Sequence, residues 1–159
     1  CETVPEVGDE LRLAIHRGIV HQRDGYEAVS LLPPPEKRGL VLVDPPFERR
    51  DEFTAMEAFL AKAQARFAGG VYACWYPLKN THEADRFCRR VAQQSPKPVL
   101  DCRFDTGAKA EGQMRGSGVL VVNPPYQIDT ALQAALDKLA AILAQGRHAI
   151  ATLNWLKTE

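Results

Sequence analysis

The residues with the clearest chemical potential are Asp44, Pro45, Pro46 and Phe47, which directly follow an aliphatic run at residues 39–43. Each proline fixes φ, removes a backbone N–H and disfavours the helical region for the residue before it. The turn therefore offers acceptors without competing donors. The Asp44 carboxylate and the Pro45 carbonyl could accept both hydrogens of a planar exocyclic amine while the Phe47 ring stacks on its heterocycle. This pair of contacts suits adenine.

Methyl transfer is the chemistry that such a turn could perform. Holding both amine hydrogens toward acceptors favours the pyramidal form of the amine that can attack, and Asp44 could receive the released proton. The electrophile would be a pre-activated methyl group, as on the sulfonium of S-adenosylmethionine, held in line. Because a base inside a duplex cannot reach this pocket, the target must be flipped out or single-stranded. The alternative is that the two prolines merely end a strand. The isolated motif does not distinguish a catalytic turn from such a strand end.

Two other segments bear on the choice. Asp24 and Gly25 precede Asp44 by one short helix and one strand, which would place a second carboxylate at the next position of the same crevice. Asn123 begins a second Pro-Pro turn, residues 123–126, after a late strand that we expect to be antiparallel. We therefore predict that Asn123 lies outside the crevice and belongs to the scaffold.

Other reactive side chains show no catalytic or metal-binding arrangement. The histidines at 16, 21, 82 and 148 have no ligand spacing, and the cysteines at 1, 74, 88 and 102 form no C-x-x-C pair. We expect buried, reduced thiols and no metal. The arginines at 86, 89 and 90 lie on one predicted helix, where a solvated face is favoured over phosphate contact.

Composition bounds the class of protein. The chain has 159 residues, 45% of them hydrophobic, and a formal net charge of zero. These values predict one globular domain with a substantial core. They do not predict the overall positive electrostatic potential that is typical of proteins that wrap DNA. No transmembrane-length apolar run or signal-peptide pattern is present. We expect a cytoplasmic protein.

Strand and helix patterns alternate along the chain. Helices are predicted at 5–16, 26–32, 52–67, 81–93 and 132–143, and strands at 18–22, 39–43, 70–76, 97–104, 118–123 and 148–156, with a loop at 106–117. This alternation predicts a three-layer α/β domain with a largely parallel sheet and an antiparallel strand near the C-terminus.

Four segments in this order, "KRGLVLVDPPFE", "YACWYP", "MRGSGVLVVNPPY" and "HAIATLNW", resemble the RlmJ family of bacterial 23S ribosomal RNA adenine-N6 methyltransferases. The resemblance covers essentially the whole chain. It implies a class I, Rossmann-like S-adenosylmethionine-dependent methyltransferase with a seven-stranded sheet. It further implies that Asp44 is catalytic and contacts the cofactor, that Asp24 and Gly25 lie beside the cofactor's adenine, and that Glu2 holds its ribose. Pro45 and Phe47 would bind the substrate base, and Phe47 stands where the family often has Tyr.

One part of the family pattern is absent from this sequence. The N-terminal section, with its Gly-rich cofactor loop after the first strand and an inserted helical subdomain, has no counterpart here. We therefore expect residues 1–159 to be the C-terminal part of a single catalytic domain that does not bind the cofactor unaided, and the full-length enzyme to be a monomer acting on 23S rRNA. The alternatives are a noncatalytic RNA-binding or structural domain that keeps the fold, N6-methylation of DNA adenine, and methylation of a protein glutamine amide.

Overall fold

The computed structural model describes residues 21–108 and 114–158. The predicted helix at 5–16, most of the strand at 18–22 and the predicted ribose contact Glu2 lie outside the described residues. Within them the order of elements follows the sequence prediction closely. The elements are a 3-10 helix (Gly25–Leu31), β1 (Leu40–Val43), α1 (Glu52–Arg66), β2 (Val71–Pro77), α2 (Thr81–Gln94), β3 (Val99–Asp105), β4 (Gly116–Val122), α3 (Ile128–Leu143) and β5 (Ile150–Lys157).

The five described strands form one sheet in the order β1-β2-β4-β3-β5. β1 and β2 pair in parallel, whereas β4 pairs antiparallel with both β2 and β3, and β5 pairs antiparallel with β3. The expectation of a largely parallel sheet is thus wrong for the pairings of the described strands, although β1, β2 and β3 share one direction. The reason is that β4 folds back on β3 and inserts between β3 and β2, which separates two strands that run the same way.

Helices cover both faces of this sheet, so the three-layer prediction is confirmed for the described residues. Side chains alternate between the faces of each strand. One face of the sheet packs against α1 and α2 around Tyr72, Cys74, Tyr76, Met56 and Phe87. The other face packs against α3, where Leu100, Cys102 and Val121 contact Leu136.

The described cysteines are free, buried thiols, as predicted. Burial raises the pKa of Cys74 and of Cys88 to about 12, and that of Cys102 to about 11. These thiols therefore stay protonated near neutral pH and pack as small apolar groups.

β1 lies at one edge of the described sheet. Among the described strands it pairs with β2 alone. Leu40 and Leu42, which share one face of β1, are 66% and 67% exposed, while Val43 is buried in the core beneath α1. This edge of the sheet borders the cavity described below.

No helix in residues 21–108 and 114–158 has the length and apolarity needed to cross a membrane.

Candidate active site

Asp44 lies directly beyond the carboxyl end of β1, as predicted. The aliphatic run before it forms β1 because a short continuous apolar segment suits a strand with a parallel neighbour. Leu40–Val43 pairs in register with Val71 to Cys74 of β2, so the ends of both strands point to the same edge of the sheet. Val43 is buried and anchors the turn, whereas the Asp44 side chain is exposed to solvent.

A cavity of about 520 Å³ opens beside this turn, within the range usual for small-molecule sites. The structure brings four of the predicted site residues together in its wall, since Asp24, Gly25, Asp44 and Pro45 all line it. Phe47 is not among the residues that line this cavity. The remaining wall is formed by Tyr26, Ala28, Val41, Leu42, Val43, Pro46, Arg49, Glu52 and Phe59.

Asp24 caps the 3-10 helix that forms one side of the cavity. Its Oδ1 accepts a hydrogen bond from the Tyr26 amide at 2.9 Å, and its backbone carbonyl accepts from the Glu27 amide at 3.0 Å. A side-chain cap of this kind fixes the chain direction at a helix start. A Cβ added to Gly25 would meet no atom within 4 Å, so open space lies over this glycine.

A buried carboxylate that sequence reasoning missed lies in the same wall. Glu52, the first residue of α1, is 3% exposed, and its Oε1 accepts a hydrogen bond from the Tyr26 hydroxyl at 2.6 Å. Its Oε2 is buried and has no hydrogen-bond partner among the described residues. Tyr26 and Glu52 are 26 positions apart in the sequence. No sequence motif links them, so the pair could not be predicted from residue spacing.

Phe47 has a structural role that the sequence did not predict. Its backbone is left-handed, with φ of 53°, and its half-buried ring packs edge-on against Phe53 at 5.1 Å and Trp75 at 5.8 Å between ring centroids. A non-glycine residue adopts this backbone at a cost, so the surrounding contacts must hold it. The Phe47 ring is therefore anchored on α1 and β2 next to the cavity.

Asn123 follows the central strand β4 and lies at the opposite end of the strands from Asp44, which confirms its predicted position outside the crevice. β4 runs antiparallel to β2, with Val122 opposite Tyr72 and Ser117 opposite Pro77. The Asn123 side chain donates through Nδ2 to the Gly70 carbonyl at 3.0 Å. It thus ties the end of β4 to the turn that precedes β2.

We expect Asn123→Ala to lower the free energy of unfolding by about 1 to 2 kcal/mol, since it removes this bond and leaves alanine in a left-handed backbone. The φ of Asn123 is 55°. Asn123→Gly is the matched control, because it loses the same bond without the backbone strain and should lose less stability. Urea unfolding measures both, and activity per folded molecule should be unchanged. An inactive variant as stable as the parent would contradict the scaffold assignment.

The remaining polar candidates lie on the surface. His21, His82 and His148 are exposed, and so are Arg86, Arg89 and Arg90 of α2, as the prediction of a solvated face requires. Arg90 contacts Glu57 of α1 at 3.5 Å. His16 lies outside the described residues. Within the described part of the chain, no group of three or more His, Cys, Asp or Glu residues could hold a metal ion.

Comparison with known proteins identifies relatives across most of this chain. The family model described as ribosomal RNA large subunit methyltransferase D, RlmJ, matches residues 2–157. Ribosomal RNA large subunit methyltransferase J of Escherichia coli strain K12 is 29% identical over 145 residues, covering 90% of this chain and 52% of that protein. The protein of the same name from Haemophilus influenzae is 30% identical over 140 residues, covering 86% and 49%.

A solved structure shares the fold. The crystal structure of protein LPL1258 from Legionella pneumophila aligns with a TM-score of 0.77 and 28% identity, covering 84% of this chain and 49% of that one. The chain thus spans about half the length of each relative.

Proposed function

Because the chain belongs to the family of ribosomal RNA large subunit methyltransferase D, RlmJ, we propose that it is part of an enzyme that methylates N6 of an adenine in 23S ribosomal RNA with S-adenosylmethionine. The observation that carries this proposal is the cavity at the carboxyl end of β1. It gathers Asp24, Gly25, Asp44 and Pro45 from two segments of the chain.

The residues of the cavity fit the proposed cofactor. An exposed carboxylate at Asp24 supplies an acceptor for amine or hydroxyl groups, and the open space over Gly25 lets a ligand approach the backbone closely. When bound, S-adenosylmethionine supplies a methyl group on a sulfonium that is ready for transfer. Asp24, Gly25 and Asp44 are the described residues that would hold it, and Glu2 remains a proposed ribose contact outside the described range.

The turn at residues 44–47 would orient the base. The Asp44 carboxylate and the Pro45 carbonyl accept the two hydrogens of the exocyclic amine, which aligns its nitrogen for attack. Asp44 would then receive the proton released from this nitrogen as the new N–C bond replaces the methyl–sulfur bond of the donor, whose sulfur would leave as a neutral thioether. Pro45 and Pro46 carry no amide hydrogen that could compete for the same acceptors.

Phe47 ends this turn and would add stacking on the base, although its ring does not itself line the cavity. We expect Phe47→Ala to weaken transfer by an amount corresponding to about 1 to 3 kcal/mol of lost stacking. The structure adds that this variant also loses the contacts with Phe53 and Trp75, so its melting temperature should fall. Phe47→Tyr keeps the ring and should retain both activity and stability. Single-turnover rates compared with melting temperatures separate the two effects, and a stable Phe47→Ala protein with parental rates would contradict the stacking role.

The wider architecture follows from the same proposal. We propose a class I methyltransferase domain to which residues 1–159 contribute the C-terminal part and to which preceding chain contributes the Gly-rich cofactor loop. The exposed edge of β1, with Leu40 and Leu42 beside it, supports a further strand there. Since the proposed substrate is ribosomal RNA, we place the enzyme in the cytoplasm. We also propose that the complete enzyme acts as a monomer.

The direct test is methyl transfer by the complete native protein. Labelled S-adenosylmethionine and unmodified 23S rRNA should yield N6-methyladenosine after nuclease digestion and mass spectrometry. Parallel reactions with adenine-containing DNA and with protein substrates separate the alternative acceptors. RNA binding without transfer to any acceptor would favour a noncatalytic domain and contradict the proposal.

A further inference from the structure

The Tyr26–Glu52 pair joins the two segments that line the cavity. Tyr26 follows Asp24 and Gly25 directly in the 3-10 helix, whereas Glu52 begins α1, which follows the Asp44 turn. The two side chains are 26 positions apart in the sequence and form a hydrogen bond of 2.6 Å. Both residues line the cavity, so the bond lies at the site itself.

Packing fixes the Tyr26 ring, and burial fixes the Glu52 side chain. The Tyr26 ring packs against Phe59 of α1 with ring centroids 5.7 Å apart. Burial, and then the hydrogen bond to Glu52, raise the pKa of the Tyr26 phenol, so it remains a donor at any physiological pH. Glu52 is almost fully buried. A hydrogen bond to a carboxylate in such surroundings is stronger than one exposed to water.

Oε2 of Glu52, which finds no hydrogen-bond donor in residues 21–108 and 114–158, argues against a purely stabilising role. A buried carboxylate oxygen without a donor costs free energy, and an apolar side chain of the same volume would avoid that cost. Among the described residues Oε2 has no partner and is closed off from solvent, so it offers no direct contact to a ligand as it stands. What Glu52 provides in this arrangement is the fixed acceptor Oε1 for Tyr26.

We propose that Glu52, through its hydrogen bond with Tyr26, is a positioning residue that sets the spacing between the Asp24–Gly25 turn and the Asp44 turn. This inference rests on the proposed function, because the spacing matters only if one adenosine-containing ligand contacts both turns. Asp24 and Gly25 are fixed within one turn of the 3-10 helix from Tyr26, and Asp44 precedes Glu52 by eight positions. Loss of the bond leaves both turns in place but lets their separation vary.

The structure supplies a matched control at the other end of the same interface. Arg66, in the last turn of α1, donates from Nε and Nη2 to the Leu32 carbonyl at 3.2 and 3.0 Å, just beyond the 3-10 helix. This second tether joins the same two elements, and neither Arg66 nor Leu32 lines the cavity. Arg66→Met therefore tests whether any loosening of the interface affects the site.

The experiment uses four variants of the complete native protein and measures the Kd of S-adenosylhomocysteine by calorimetry beside the melting temperature. Tyr26→Phe and Glu52→Met each remove the bond while keeping volume, and each should weaken binding about tenfold, because the ligand must then order the two turns itself. Glu52→Gln can still pair with the Tyr26 hydroxyl and should bind like the parent, with equal or higher melting temperature. Arg66→Met should lose stability without loss of affinity.

A double variant completes the test. If the bond is what matters, Tyr26→Phe with Glu52→Met should bind no more weakly than either single variant, because each already removes the whole interaction. Equal loss in Glu52→Gln and Glu52→Met would show that the charge acts directly, and loss of affinity in Arg66→Met would show general loosening. Either result overturns the positioning role. A parent that binds no cofactor analogue and transfers no methyl group would instead refute the proposed function.

Discussion

Asp44→Ala is expected to reduce methyl transfer by the complete protein at least about 10³-fold, the scale of a lost general base combined with a lost orienting acceptor. The side chain is exposed at the end of β1 and takes no part in the core. Its removal should therefore change the free energy of unfolding by less than about 0.5 kcal/mol. Rates come from transfer of labelled methyl to 23S rRNA, and cofactor affinity from calorimetry should fall only modestly.

Two further variants test whether the loss of transfer is specific to the Asp44 carboxylate. Glu48→Ala removes an exposed carboxylate of the same segment that does not line the cavity, and it should leave transfer unchanged. Asp44→Asn keeps an acceptor for the amine but is a much weaker proton acceptor, so it should fall between Ala and the parent. Transfer by Asp44→Ala near the parental rate would remove Asp44 from the mechanism, whatever the behaviour of the other two.

Local sequence features predicted most of the elements because their signals are short-range. The run at 39–43 is apolar without alternation, and it forms the paired strand Leu40–Val43. The apolar stripe after Asp51 forms α1, with Met56, Phe59, Leu60 and Ala63 buried. The predicted loop at 106–117 extends two residues too far, because Gly116 was counted as a loop residue although it begins β4.

Gly116 shows why that error was unavoidable from sequence. A Cβ at this position would lie 2.2 Å from the Phe104 carbonyl oxygen, so the close approach of β3 requires the glycine, not a turn. The insertion of β4 between β2 and β3 is equally a long-range outcome. No local pattern encodes which strand a hairpin will pair with on its other side.

The residues of the candidate site likewise fall into those that local sequence could predict and those that depend on long-range contacts. Asp44 and Pro45 could be predicted because proline restricts its neighbours, and Asp24 because one short helix and one strand separate it from Asp44. Glu52 could not, since its significance depends on Tyr26 from another element and on burial that the sequence does not display. The anchoring of the Phe47 ring likewise depends on Trp75, from the next strand.

The largest stability effect is expected from Asp101→Ala. Asp101 of β3 is 2% exposed and accepts hydrogen bonds from the Tyr76 hydroxyl and, at 2.7 Å, from Nε of Arg103. Tyr76 is fully buried, so removing the carboxylate leaves its hydroxyl without this acceptor in a site that water does not reach. We expect the free energy of unfolding to fall by about 3 kcal/mol.

Asp85→Ala is the matched comparison, because Asp85 pairs with the same guanidinium from the solvent side. Its carboxylate is 47% exposed, and Arg103 would keep its bond to Asp101 in the variant. Its loss should cost less than about 1 kcal/mol. Urea unfolding of the two proteins under identical conditions gives the difference. Equal losses would mean that Arg103 is the centre of the network, and a negligible loss in Asp101→Ala would mean that the Tyr76 hydroxyl does not depend on this carboxylate.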